Sequence, residues 1–241
     1  MDKIKIEIWS DIACPYCYIG KRKLENALNK FEHKDEVEIV WHSYELNPDM
    51  PKKALHEPFA EHFSKAHNMS IEDTQRKFDE ITQIAKETGL NYNFGKVVAA
   101  NTSDALRLVK LANTFDLADE CEEVLFKAYF VEGQDISDRD TLMRLGKEIG
   151  LNEKRISNML DGNVYFDEIK KDIEYSENEL KLEFIPFYLI NGKHAIQGSI
   201  AENIYLEVIE KAYEEWKTGE IVNEHENIVG GKSCSVDGVC S

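Results

Sequence analysis

The chain has 241 residues, long enough to bury a sizeable core as one large domain or as one domain carrying an insertion. Its formal net charge of −17, from 46 acidic and 29 basic residues, argues against binding the phosphate backbone of nucleic acid or an anionic lipid surface. No stretch approaches the apolar length needed to span a membrane.

The first predicted element follows at once. Ile4, Ile6 and Ile8 alternate with Lys3, Lys5 and Glu7, the period of a strand. Because Met1 runs straight into this strand, no room is left for a signal peptide, and a cytoplasmic location is expected. Five cysteines, an odd number, agree with a reducing compartment rather than a framework of structural disulfides.

The strand hands over to a helix at Trp9-Ser10-Asp11-Ile12-Ala13-Cys14-Pro15-Tyr16-Cys17-Tyr18-Ile19-Gly20, and Leu24, Ala27, Leu28 and Phe31 continue at helical spacing. Pro15 suits the first helical position, where its fixed φ and missing N–H cost nothing. Cys14 then sits at the helix N-terminus, where unpaired N–H groups and the macrodipole favour a thiolate. Cys17, one turn on, is placed to close a disulfide with it. A lone Cys-x-x-Cys also occurs as half of a zinc site or as plain core. Zinc, however, needs further ligands at a recognisable spacing, and neither a second such pair nor a paired histidine motif is legible. The position between strand and helix is that of a thioredoxin-like redox motif.

Val37, Ile39 and Trp41 mark a second strand, followed by a loop through Asn47-Pro48 and Pro51. The order strand, helix, strand implies a parallel βαβ unit. From 57 to 180 the pattern is helical. Pro58 opens a short helix, and Ser70 caps a longer one with a stripe of Ile71, Phe78, Ile81 and Ile84. Asn101 or Thr102 caps the next helix, then come the stripe Leu117–Tyr129, a helix capped by Ser137, one capped by Asn152, and a polar helix with Ile169 and Ile173. Cys121 lies on an apolar stripe and reads as a small buried hydrophobe. Strand character returns at Phe184–Ile190, turns at Asn191-Gly192, and resumes through Gln197. Ser199 is expected to cap a last helix ending near Trp216. The predicted domains are 1–56 with 181–219, an inserted helical subdomain at 57–180, and a flexible tail at 220–241 holding Cys234 and Cys240.

The Cys-Pro-Tyr-Cys start, the Ile185-Pro186 strand and the long helical insert together resemble the DsbA-like branch of the thioredoxin superfamily. Tyr44-Glu45-Leu46-Asn47-Pro48, Asn101-Thr102-Ser103-Asp104-Ala105, Ala128-Tyr129-Phe130 and Pro186-Phe187-Tyr188 further resemble the FrnE-like subfamily. The resemblance implies an α/β thioredoxin-like fold with a large all-helical insertion between its βαβ and ββα halves. It also implies a thiol–disulfide oxidoreductase in which Cys14 attacks, Cys17 resolves, and Pro186 is a cis-proline facing both sulfurs. Pro15, Tyr16 and Ile185 are the expected substrate contacts, and the backbone of Ile185 is expected to be free for an extended substrate strand.

The expected partners are protein or small-molecule thiols and disulfides. No metal or resident cofactor is expected, with glutathione as a candidate co-substrate. Cys234 and Cys240 read equally as an accessory redox pair or as an end without function, and a metal role with His225 is weaker. His42, His56, His62, His67 and His194 show no zinc spacing. Two other functions share this outline. One is a glutathione-dependent isomerase or kappa-class transferase, which typically carries serine where Cys14 stands; the other is a non-enzymatic adaptor that binds a protein partner.

Overall fold

The alternating run at the N-terminus forms β1 (Ile4–Ser10), an interior strand of a five-stranded sheet. Its isoleucines turn to the core while Lys3 and Lys5 face outward, so the period-2 pattern sets the register. In the computed structural model of the protein, residues 3–55, 57–219, 226–235 and 239–240 are described. The strand β2 (Val37–Ser43) runs parallel to β1 on one side, with Ile8 opposite Trp41. On the other side β4 (Phe187–Ile190) runs antiparallel, with Ile8 opposite Tyr188. The hairpin partner β5 (His194–Gln197) follows β4 through Asn191 and Gly192, both at positive φ, as the Asn-Gly signal requires.

The helix α1 (Pro15–Lys30) connects β1 to β2 and packs against α9 (Glu202–Thr218). The inserted segment holds α2 (Phe59–Ala66), α3 (Ile71–Glu87), α4 (Ser103–Asn113), α5 (Ala118–Phe126), α6 (Arg139–Glu148), α7 (Glu153–Asp161) and α8 (Phe166–Asn178). A single hydrophobic cluster runs through sheet and insertion together. Two charged groups, half-buried Asp172 and buried Arg107, order the insertion. Asp172 on α8 accepts from the Ser43 N–H at 2.7 Å and from Lys110, and bonds His42 Nδ1 at 2.9 Å. Arg107 on α4, 2 % exposed, donates to the carbonyls of Met159, Gly162 and Val164, which fixes the turn between α7 and α8.

Several local expectations are corrected. The cap of α6 is Asp138, not Ser137: the Asp138 carboxylate accepts from the Thr141 N–H at 2.8 Å, whereas the Ser137 hydroxyl is taken by Asp135. Ala201 precedes α9, and Ser199 instead pairs through its backbone with Lys232. Ile71 is 43 % exposed, and α3 buries Thr74, Phe78, Ile81 and Ala85, a stripe rotated away from Ile71. The helix after α5 widens into a π-helical turn at Lys127–Glu132, which spacing alone does not reveal.

The tail is the largest correction. Its described residues include β6 (Glu226–Gly230), which adds to β5 in parallel as the fifth strand. A second short strand, β7 (Cys234–Ser235), pairs antiparallel with β3 (Phe184–Ile185). Backbone bonding rather than an apolar period attaches this segment: the Gly231 N–H donates to Gln197 at 2.8 Å, and the Ser199 N–H donates to Lys232 at 2.6 Å. The absence of a Cβ at Gly231 permits that approach, since one would lie 2.5 Å from the Ser199 carbonyl oxygen.

Gly20 sets how closely α1 approaches the sheet. A Cβ there would stand 2.2 Å from the Tyr188 hydroxyl and 3.2 Å from Pro186 Cγ. We expect Gly20→Ala to lower unfolding stability by about 1–3 kcal/mol through overpacking, despite the better helix propensity of alanine. Urea denaturation of the two proteins checks this, and an alanine variant as stable as the parent would refute it.

Candidate active site

The site is built where α1 begins. Pro15 occupies the first helical turn and Cys14 is the N-cap, in extended conformation with no side-chain cap of its own. The Cys14 N–H donates to the Asp11 carbonyl at 3.0 Å, and the Cys17 N–H donates to the Cys14 carbonyl at 3.1 Å. Both thiols are free, and both are buried. The Cys14 thiol points at the Ile185 carbonyl, 3.9 Å away, and the peptide between Ile185 and Pro186 is cis. Cys14, Cys17, Ile185 and Pro186, 171 positions apart in the chain for the Cys14–Ile185 contact, are therefore brought together.

Pro15 and Tyr16 flank them. The Pro15 carbonyl accepts from the Tyr92 hydroxyl at 2.7 Å, which anchors the motif to the insertion. Tyr16 is buried, and burial, with Cys14 and Glu80 nearby, pushes its hydroxyl up to about 12.

The edge of β3 is not free, contrary to the expectation for Ile185. Cys234 lies directly opposite Ile185 in the β3–β7 ladder, and Cys234 is joined to Cys240 by a disulfide. The segment expected to hang loose thus covers the strand edge beside Cys14, because the backbone of β3 offers pairing groups that no other described strand takes up. Residues 236–238 between the two cysteines, together with His56 and His225, lie outside the described residues. Among the other histidines, His42 bonds Asp172 and Glu7, and His194 bonds Glu215 at 2.7 Å. Cys121 is fully buried, and burial pushes its thiol up.

Three ionisable side chains around the first helix are buried, and for Glu122 no sequence signal marked it. Asp11 is 1 % exposed, and its carboxylate accepts from the N–H groups of Ala13 at 3.2 Å and Leu46 at 2.8 Å. Burial outweighs these bonds and raises it to about 6. Glu122 on α5 is also 1 % exposed, and burial raises it to about 8 although Lys21 pulls it down. Its Oε2 has no hydrogen-bond partner among the described residues. Lys21, 2 % exposed, is held charged by Glu25, by Asp119 at 3.0 Å and by Glu123 at 3.3 Å. A carboxylate placed three or four residues from an apolar stripe is a common surface feature, so only the three-dimensional packing identifies Glu122 as buried.

Burial pushes the Cys17 thiol well up, and Cys14 beside it adds to the effect. Cys17 therefore stays protonated until a reaction at Cys14 changes its surroundings. The raised acid on α5 has a consequence for stability. Its folded value of about 8 stands above the ordinary 4.5, so between those pH values the folded chain holds a proton that the unfolded chain has lost. Unfolding then releases a proton, and stability falls as pH rises, by up to about 1.4 kcal/mol per pH unit from this group. Glu122→Gln is expected to flatten that slope in denaturant titrations between pH 5 and 8. An unchanged slope would refute the assignment.

Residues 5–214 match the family model described as a DSBA-like thioredoxin domain. The chain is 26 % identical over 210 residues to the uncharacterized protein YwbO of Bacillus subtilis (strain 168), covering 86 % of this chain and 96 % of that one. Among solved structures, a probable DsbA oxidoreductase from Streptomyces coelicolor superposes with a TM-score of 0.82 at 27 % identity, covering 99 % of this chain and 98 % of that one. The cytosolic disulfide reductase DsbM of Pseudomonas aeruginosa shares the fold, with a TM-score of 0.56 at 17 % identity over 89 % of this chain and 98 % of that one. The cluster of Cys14, Cys17 and cis Pro186 thus stands on a chain that belongs to the DsbA-like thioredoxin-domain family, a family of thiol–disulfide oxidoreductases.

Proposed function

We propose that this protein is a cytosolic thiol–disulfide oxidoreductase that works through Cys14 and Cys17. The observation that carries the reading is the Cys14 thiol at the helix N-terminus, facing the Ile185 carbonyl beside cis Pro186. The Cys14 thiolate attacks one sulfur of a substrate disulfide, forming a mixed disulfide and releasing the other sulfur as a thiolate that takes a proton. The Cys17 thiolate then attacks Cys14 Sγ, expelling the second substrate sulfur. The substrate gains two electrons and two protons, and Cys14–Cys17 becomes the disulfide. Run backwards, the same steps oxidise a substrate dithiol. Pro15, Tyr16 and Ile185 form the walls against which a substrate lies. No resident cofactor is needed, and glutathione serves as a co-substrate that restores either redox state. No helix among the described residues is long and apolar enough to cross a membrane.

Cys234 and Cys240 enter the same scheme as an accessory redox pair. Cys14 is fully enclosed while β7 is paired, so an external disulfide needs that segment to move, whereas the Cys234–Cys240 disulfide is already beside it. Reduced Cys14–Cys17 passes two electrons to Cys234–Cys240, leaving the first pair as a disulfide and the second as two thiols. Cys14→Ser is expected to reduce insulin disulfides no faster than buffer, with unchanged far-UV circular dichroism. Activity retained in that variant would overturn the assignment. Cys17→Ser should accumulate a disulfide between Cys14 and either Cys234 or Cys240, seen by non-reducing peptide mapping. Its absence would remove the accessory pair from the scheme.

A further inference from the structure

A cavity of about 280 Å³ opens between the Cys-Pro-Tyr-Cys turn and the C-terminal disulfide. Pro15 forms one wall and Cys240 another, while Phe59, Phe63, Phe78 and Phe94 furnish a nest of aromatic rings. An apolar cavity of roughly half this size already admits a benzene ring, so a substituted aryl group fits here.

Its polar character is unusual for so acidic a chain. Among the described residues no Asp or Glu lines it, and its titratable side chains include His62 and His67, on and just after α2. Lys77 on α3 reaches the rim and donates to the Cys240 carbonyl. Burial lowers His67, and His62 and Lys77 add to the effect; burial likewise lowers Lys77, with Lys232 adding against Glu80. The lowered His67 favours the neutral imidazole, which leaves Lys77 as the positive charge at this edge of the cavity. The acids nearby include Glu57, which bonds His62 and Lys65, Glu80 beside Lys77 and Tyr16, and Asp11, which accepts from the N–H groups of the lining residues Ala13 and Leu46.

We propose that this cavity binds a small aromatic anion, the body of a low-molecular-weight thiol or disulfide, between the two cysteine pairs. The substrate class rests on the oxidoreductase reading above; the binding site does not. The aromatic walls take the apolar ring, and Lys77, held at the edge by the Cys240 carbonyl, takes a carboxylate or sulfonate.

The test uses the full chain and a redox-inert probe. Isothermal titration with 4-(methylthio)benzoate should show saturable binding of one molecule per chain, and the methyl ester should bind at least about tenfold more weakly. Ala66→Phe, at an exposed position on the cavity wall, should weaken the acid at least about tenfold by filling the space. Lys77→Met should bring the acid down toward the ester without altering the ester, and this variant decides the question should Ala66→Phe fail to fold. No binding of the acid, an ester that binds equally well, or a folded Ala66→Phe with undiminished affinity would each overturn the proposal. Probe binding without insulin reduction would sink the oxidoreductase reading alone. Insulin reduction without probe binding would sink this site alone.

Discussion

The approach of α1 to β4 governs the geometry of everything around the thiols. With no side chain at Gly20, the Tyr188 hydroxyl and the Pro186 ring lie directly against the helix. The same approach carries the first turn of α1 down onto β3, which is how Cys14 comes to face the Ile185 carbonyl. A helix held farther off would still present a Cys-Pro-Tyr-Cys turn, but as a surface dithiol without a strand beside it. The chemistry of the pair is thus inseparable from a packing distance set several residues downstream of it.

Charge, rather than apolar contact alone, fixes the insertion relative to the sheet. The Asp172 carboxylate joins α8 to β2 and to α4 in one cluster, and Lys21 joins α1 to α5 through Asp119 and Glu123. Buried ionic clusters of this kind bring little net stability once desolvation is counted, but a misdocked arrangement leaves a charge unpaired and is strongly disfavoured. The two seams hold the insertion in register with the Cys14 helix and the sheet behind it. Pro15, linked to Tyr92 by its carbonyl, is the point at which the insertion touches the motif itself.

Much of this was legible in the residue pattern. The alternation Ile4-Ile6-Ile8, Pro15 at a helix start, the Asn191-Gly192 turn and the helical stripes each follow from local rules, and the structure bears out the α/β class with its helical insertion. What escaped is non-local. The strands β6 and β7 are attached by backbone hydrogen bonds to β5 and β3, and such bonds leave no apolar period behind. Caps failed where two candidates were adjacent: Asp138 took the position because Ser137 was already bonded to Asp135. Nothing local marks Glu122 and Arg107 as buried, because burial of a charged side chain depends on partners tens of residues away. At the site, Cys14, Cys17 and Pro186 were visible as motif residues, whereas the covering of Ile185 by Cys234 was not.

The order of strands in the sheet bears on how the chain is made. β1 is paired on both sides, yet its neighbours are far apart in the sequence: β2 starts at Val37 and β4 at Phe187. During synthesis the βαβ unit therefore leaves the ribosome with one flank of β1 bare, and it stays bare until the whole insertion has followed. Pairings of such long sequence separation form late, and an open apolar edge is prone to misassembly in the interval. Cys14 and Cys17 emerge well before the strands that enclose them, since β3 and β7 follow the whole insertion. A nascent chain thus exposes its dithiol to the surrounding redox pool for most of its synthesis, a window that the finished protein closes.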